Sequence, residues 1–381
     1  MLMALTILPL REFFMKTYLV TGGAGFIGSN FVLYMLRKYD DVRIVNLDAL
    51  TYAGNLENLA SVEDDPRYVF VHADIRDAKA VAAAIAEHDP DYVINFAAES
   101  HVDRSIENPG IFADTNVMGT VNMLNCCRAA WDDGKGGFGA HRYLQVGTDE
   151  VYGTLAIPEA LNADGSPADP EHTDYFREDT PLSPHSPYSA SKTSADLFVK
   201  AYHDTYGFPS VITRCSNNYG PYQFPEKLIP LMINNARHHK SLPVYGDGLN
   251  VRDWLYVDDH CKAIDMVARE GRLGEVYNVG GHNERANIYI VKTIIAEVAR
   301  ATGDDAVTED LITYVQDRAG HDRRYGMAPD KIREELGWYP ETPYEEGIVK
   351  TIRWYLDNPE WVANVTSGAY QDYYERMYAG R

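Results

Sequence analysis

Six short runs of β-branched and aromatic residues, at 18–20, 44–47, 68–71, 92–96, 143–146 and 211–213, punctuate the first part of the chain, with helical patterns in the intervals between them. Runs this poor in polar residues do not suit an antiparallel sheet with one wet face, where alternate side chains must meet water. They suit a parallel sheet covered by helices on both faces. The expected fold is therefore α/β, a doubly wound parallel sheet. In such a sheet ligands bind at the carboxyl ends of the strands, and the chemically suggestive segments fall there: 22–28, Asp48, Asp74, 97–101, 148–150 and 216–219.

Beyond about residue 218 the pattern loosens into loops punctuated by Pro and Gly, with one more strand-like run at 276–279. The organisation expected is a larger sheet domain of residues 15–217 plus about 252–285, and a smaller C-terminal substrate-binding domain of about 218–251 plus 286–381. Residues 1–14 contain an apolar run, 2–10, too short to span a bilayer and lacking the basic start and cleavage site of a signal peptide. They read as an N-terminal extension ahead of the first strand. Residues 154–177, rich in Pro and Asp, read as an exposed loop without chemistry.

With 381 residues, 45% of them hydrophobic, the chain buries a core without a disulfide framework. Its formal charge of −21 excludes non-specific binding to nucleic acid or anionic membrane, which depends on Lys and Arg neutralising phosphates. An anionic ligand would need a local cluster of cations. The four cysteines, Cys126, Cys127, Cys215 and Cys261, form no Cys-x-x-Cys pair and point to a reducing cytoplasm. No metal is expected.

Gly23, Gly25 and Gly28, in Thr21-Gly22-Gly23-Ala24-Gly25-Phe26-Ile27-Gly28, follow the first strand at G-x-G-x-x-G spacing and open a helix. Glycines let the backbone turn sharply and approach a pyrophosphate, to which the helix amino end offers free N–H groups. Asp48, twenty residues after Gly28, ends the second strand, where a carboxylate accepts hydrogen bonds from the hydroxyls of an adenosine ribose. A 2′-phosphate would meet that negative charge, so the Rossmann pattern predicts NAD rather than NADP, with Arg43 the one nearby base that could offset the charge. Asp74-Ile75, ending the third strand, fits a place beside the adenine.

Tyr188 and Lys192, in Tyr188-Ser189-Ala190-Ser191-Lys192, stand at i and i+4 and share one helix face. An ammonium beside a phenol is expected to lower its pKa, so that the phenolate takes a proton from a sugar hydroxyl. Thr148-Asp149-Glu150 ends another strand. Adjacent acids in a partly buried cleft repel, so one keeps its proton while the other ionises, which supplies an acid and a base side by side. Eliminating water requires both.

With the glycine motif, the Tyr/Lys pair resembles the extended, sugar-nucleotide-modifying branch of the short-chain dehydrogenase/reductase superfamily. The Thr148-Asp149-Glu150 triplet narrows the resemblance to the dTDP-glucose 4,6-dehydratases, as do 97–105, 48–55, 216–221 and 317–322. Related epimerases usually carry a Ser or Thr pair at the triplet, and GDP-mannose dehydratases Thr-Ser-Glu. The resemblance covers nearly all of 15–340, with Ala319 standing where the family typically carries Pro.

The resemblance implies a cofactor site of Gly22, Gly25, Phe26, Ile27, Gly28, Asp48, Ala49, Leu50, Thr51, Asp74, Ile75, Ala97, Ala98, Glu99, Ser100, Thr115 and Asn218, with Tyr188 and Lys192 at the nicotinamide ribose. It implies a nucleotide-sugar site of Ser100, Thr148, Asn217, Lys227, Leu228, Pro243, Val244, Tyr245, Arg252, Asn287, Asp317, Arg318 and His321. Arg252, Lys227 and Arg318 are its candidates for the pyrophosphate, and His321 has no partner at metal-ligand spacing. In the expected cycle Tyr188 and Thr148 serve oxidation at C4 of dTDP-glucose by NAD, Glu150 takes the C5 proton and Asp149 protonates the leaving C6 hydroxyl. Rival readings are a UDP-sugar 4-epimerase, another nucleotide-sugar dehydratase, or a catalytically silent NAD-binding regulator. The nucleobase follows from resemblance alone, and so does the expected homodimer through helices of the cofactor domain.

Overall fold

A computed structural model describes residues 15–367, so the extension 1–14 and the end of the second domain lie outside the described residues. The strands in chain order are β1 (Lys16–Thr21), β2 (Val42–Asp48), β3 (Tyr68–His72), β4 (Tyr92–Asn95), β5 (Arg142–Thr148), β6 (Ser210–Cys215), β7 (Asn217–Tyr219), β8 (Leu242–Tyr245), β9 (Val251–Tyr256), β10 (Val276–Val279), β11 (Glu284–Ala286) and β12 (Ile312–Val315).

Seven of them form one sheet in the order β10-β6-β5-β4-β1-β2-β3, and every pairing in it is parallel. The fold is the doubly wound α/β sheet expected. Period-two alternation sends Tyr18 and Val20 of β1 to one face and Leu19 to the other. The first face packs on Phe31, Val32 and Met35 of the helix Phe26–Lys38 and on Ile264 and Val267 of the helix Val257–Glu270. The second packs on Val81 and Ile85 of the helix Ala78–His88, Met123 and Cys127 of the helix Thr120–Trp131, and Val199 of the helix Pro187–Tyr206. Burying both faces is why these strands read as near-continuous apolar runs.

Strand order reverses between β1 and β4, so the connections leaving them diverge to opposite faces and leave a crevice at their carboxyl ends.

Beyond residue 218 the chain is more regular than its Pro and Gly content suggests. The helices Leu228–Arg237, Asn287–Thr302 and Tyr344–Asp357 enclose a core of Ile229, Met232, Ile233, Ile290, Ile294, Ile348 and Ile352, closed by Leu242 and Val244 of β8. Two small sheets, β11-β9-β7 and β12-β8, lie in this part of the chain. Pro230 obscures the first of these helices, yet it sits in the first turn, where its missing N–H costs no intrahelical bond. The helix Pro359–Val365 also reaches back to the glycine turn through one side chain. Trp361 donates its indole N–H to Asn58 Oδ1 at 2.8 Å, 303 residues away, and Asn58 donates to the carbonyl of Ala24 in the glycine turn at 3.0 Å.

Candidate active site

The glycine turn leaves β1 in a conformation that excludes side chains. Gly22 has φ +71°, and a Cβ there would lie 2.8 Å from the backbone nitrogen of Ala97 after β4. A Cβ on Gly28 would run into the carbonyl oxygen of Gly22. The helix that follows has Gly25 as N-cap with no side-chain cap, so its amino end is left to face a ligand.

Asp48 ends β2 and is fixed by two backbone donors, Ala24 N to Oδ2 at 2.9 Å and Leu50 N to Oδ1 at 2.8 Å. Burial pushes its carboxyl up, and those N–H groups pull it back. Arg43 lies five residues earlier in β2, opposite Thr17, roughly 16 Å along the strand, too far to offset the carboxylate. Asp74 stands two residues past β3 rather than ending it, paired with Arg76 at 2.6 Å.

A cavity of about 370 Å³ opens over the strand ends. Gly22, Gly25, Phe26, Ile27, Gly28, Asp48, Ala49, Thr51, Asp74, Ile75, Ala97, Ala98, Glu99, Ser100, Thr115 and Asn218 line it, and so do Thr148, Asp149, Glu150, Tyr188, Lys192, Asn217 and Lys227. Leu50 is outside that lining, with its backbone committed to Asp48. Arg76, Gly54 and Glu226 line the cavity too. Gly54 lies in the segment 48–55, whereas Arg76 and Glu226 belong to no motif and only the loop geometry reveals them. Leu228, Pro243, Val244, Tyr245, Arg252, Asn287, Asp317, Arg318 and His321 do not line it. Val244 packs into the second lobe's core. The Tyr245 hydroxyl donates to Asp103 Oδ2 at 3.3 Å, and Asn287 Oδ1 is buried without a partner among the described residues.

Thr148 ends β5 and caps the 3-10 turn Asp149–Tyr152. Its hydroxyl donates to Asp149 Oδ1 at 3.2 Å and accepts from Glu150 N at 3.3 Å. Asp149 Oδ2 is buried and has no partner among the described residues. Burial, with Glu150 beside it and Asp253 behind, holds the Asp149 carboxyl well above its ordinary range. Glu150 is raised too, also by burial, but Arg318, Lys227 and Arg252 oppose the rise. The doublet is therefore unequal, with Asp149 raised further than Glu150.

Tyr188 and Lys192 lie in the first turns of the helix Pro187–Tyr206, which a capping box between Ser186 and Ser189 starts. Lys192 Nζ donates to the carbonyl of Val146 in β5 at 2.7 Å. The expectation that Lys192 lowers the phenol's pKa is not met in this geometry. Burial, then Glu150, Cys215 and Asp149, push Tyr188 well above its ordinary value, opposed by a hydrogen bond with Thr148. Burial is the largest cause, and the carboxyl groups brought in by β5 add to it.

Three cations surround Glu150 although the chain is acidic as a whole. Lys227 Nζ donates to the carbonyl of Ser100 at 2.9 Å. Arg252 donates to the carbonyls of Val251 and Asp322, each at 2.8 Å, and lies 4.2 Å over the Tyr325 ring. Arg318 Nε is buried without a partner among the described residues. His321 binds Asp317 Oδ1 through Nδ1 at 2.6 Å, and burial with Arg318 and Arg252 pushes it down to about 4, hence neutral. Cations left without full carboxylate pairing are ready to meet an anion.

These residues fit a dinucleotide. The turn has no room for a Cβ at Gly22 or Gly28, the Asp48 carboxylate lines the cavity at the end of β2, and the buried Thr115 Oγ1, lining the cavity, has no partner among the described residues.

Comparison with known proteins agrees. The profile of the family described as GDP-mannose 4,6 dehydratase matches residues 19–351. The dTDP-glucose 4,6-dehydratase 1 of Escherichia coli strain K12 is 51% identical over 367 residues, 95% of this chain and 99% of the relative. Among solved structures, a dTDP-glucose 4,6-dehydratase from Bacillus anthracis in complex with NAD is 47% identical, with a TM-score of 0.79 over 92% of this chain and 99% of that one. DesIV, the dTDP-glucose 4,6-dehydratase of Streptomyces venezuelae solved with NAD and dTDP bound, is 43% identical, with a TM-score of 0.80 over 92% of this chain and 100% of that one. The chain thus belongs to the dTDP-glucose 4,6-dehydratase family, within the wider group of nucleotide-sugar 4,6-dehydratases whose profile it matches.

Proposed function

We propose that the chain dehydrates dTDP-glucose to dTDP-4-keto-6-deoxyglucose with bound NAD. The observation that carries this reading is two carboxyl groups of unequal acidity, the buried Asp149 and the half-buried Glu150, sharing one cavity with Tyr188 and Lys192. The names of the relatives and the NAD in two related structures support it.

The glycine turn, Asp48, Thr115 and Lys192 would hold NAD. When bound, NAD accepts hydride from C4 and returns it to C6, so the cycle has no net redox change. Tyr188 takes the proton of the C4 hydroxyl, and Thr148 hydrogen-bonds the developing carbonyl. The 4-ketone acidifies C5–H, and Glu150, held partly ionised by its three cations, removes that proton. Asp149, kept protonated by burial, donates to the departing C6 hydroxyl. Lys227, Arg252 and Arg318 are read as neutralising the substrate pyrophosphate. Ser100, Asn217, Asn287, His321 and the segment Pro243, Val244, Tyr245 are read as holding the rest of the nucleotide sugar. A 4-epimerase has no hydroxyl to expel and hence no use for a buried acid at Asp149.

The chain is further read as a cytoplasmic homodimer. Cys126, Cys127, Cys215 and Cys261 are free thiols, as a reducing compartment requires. No described helix is long and apolar enough to cross a membrane. Ile106, Met118, Leu197, Phe198 and Tyr206 are large and exposed on neighbouring helical segments, Val102–Glu107, Ala113–Gly119 and Pro187–Tyr206, a surface suited to self-association.

Incubation with dTDP-, UDP-, CDP- and GDP-glucose, followed by mass spectrometry, should give a product one water lighter from the dTDP sugar. Failure to lose water from dTDP-glucose sinks the reading, and faster loss from another nucleotide corrects the base.

A further inference from the structure

Beneath the catalytic pair lies a buried polar chain that the proposed mechanism does not use. Asp196 follows Lys192 by four residues, so Tyr188, Lys192 and Asp196 occupy one face of the same helix on successive turns. Asp196 is 1% exposed and Lys192 4%. Arg214, on β6 opposite Gly147 of β5 and 5% exposed, donates from Nε to Asp196 Oδ2 at 2.9 Å and from Nη1 to the Tyr152 hydroxyl at 2.9 Å. Tyr152 in turn donates to Asn278 Oδ1 of β10 at 2.8 Å. The other Asp196 oxygen, Oδ1, is buried with no partner among the described residues. It lies 3.3 Å from where a Cβ on Gly147 would stand, under the strand whose Val146 carbonyl Lys192 binds.

A buried ammonium with a single neutral acceptor loses most of its hydration, and the Val146 carbonyl alone does not replace it. The charged and titratable groups facing Lys192 are few: Tyr188 and Asp196 from its own helix and Cys215 from β6, with Asp149 and Glu150 beyond Tyr188. Burial raises the Cys215 thiol to about 12, so it stays neutral at physiological pH. Asp196 is thus the carboxylate that offsets the desolvation of Lys192, and Arg214 is first among the charges that keep Asp196 ionised. The sequence Arg214⁺, Asp196⁻, Lys192⁺ presents one net positive charge to Tyr188, against the two carboxyl groups on its other side.

We propose that Asp196 is a positioning residue that keeps Lys192 an ammonium beside Tyr188, with Arg214 holding Asp196 in place. The proposal rests on reading Tyr188 and Lys192 as the oxidising pair, and its test keeps the two ideas apart.

In a Glu150→Gln background, where elimination is blocked, C4 oxidation is read alone as a burst of reduced-nicotinamide absorbance in the NAD-loaded enzyme. Asp196→Asn should move the alkaline limb of the burst rate by about one pH unit to lower pH, leave KM for the sugar nucleotide within about twofold, and leave the rate below the limb near that of the parent. Asp196→Ser, which leaves room for water against Arg214, should do the same if the amide proves too disruptive to fold. Asp196→Glu should return the limb toward its original place. Independently of activity, trace acetylation of lysines across pH, with Lys192 read by mass spectrometry, should show its midpoint falling in parallel. A uniform loss of rate at all pH values, or an unmoved limb and midpoint, overturns the proposal. If the burst survives Tyr188→Phe, the reading of the pair fails instead.

Discussion

At the scale of single residues, chemistry follows from unequal burial of like groups. Asp149 and Glu150 are neighbours in sequence, but one faces Asp253 and its own burial while the other faces three cations. Tyr188→Phe should abolish C4 oxidation, a loss of roughly 10²- to 10⁴-fold for a general base. Glu150→Gln and Asp149→Asn should let reduced nicotinamide accumulate while release of water stops, and rapid full dehydration by Glu150→Gln would contradict the division of labour between the two carboxyl groups. A second residue-scale prediction concerns His260, which binds the Asn218 side chain through Nδ1 at 2.9 Å. Burial pushes His260 from 6.5 down to about 3. The unfolded chain takes up this proton below pH 6.5 and the folded chain does not, so stability declines as pH falls through that window. Between pH 6.5 and 5 the loss is about 2 kcal/mol. Urea unfolding of His260→Gln over this range should show a correspondingly shallower slope, and an unchanged slope would count against a neutral buried imidazole.

At the scale of elements, the turn joining β1 to its helix is the least substitutable segment. Gly28→Ala forces a Cβ against the Gly22 carbonyl, which should cost about 1–3 kcal/mol. Because the same turn is read as the pyrophosphate cradle, purified Gly28→Ala should retain less NAD than its melting temperature alone would suggest. The strands of the central sheet were legible as apolar runs because both faces of all but the half-buried edge strand β3 are largely dry. The glycine turn and the site triplets were legible because they sit where such strands end. The second lobe was not, because one of its helices carries Pro230, another starts directly after Pro343, and their apolar positions are interleaved with polar ones. Asp196 and Arg214 escaped notice for another reason. A lone acid on a helix looks like a solvated group, and only the β5–β6 register shows what lies over it. The phenol's high pKa was illegible too, since i, i+4 spacing reveals Lys192 but neither the burial of the phenol nor the carboxyl groups arriving from β5.

At the scale of the whole molecule, the exposed Leu197 and Phe198 are expected to meet a second copy. Leu197→Asp with Phe198→Ser should yield a monomer by light scattering while far-UV circular dichroism stays unchanged, and a parent protein already monomeric at micromolar concentration would remove the need for that surface. The bond from Trp361 to Asn58, and from Asn58 to Ala24, has a consequence for biosynthesis. The turn proposed to grip phosphate is synthesised well before its brace, since Trp361 follows Asn58 by 303 residues. A dinucleotide arriving before Trp361 has joined the fold would find the turn without this brace, so lasting capture of the cofactor is expected to wait for the second lobe.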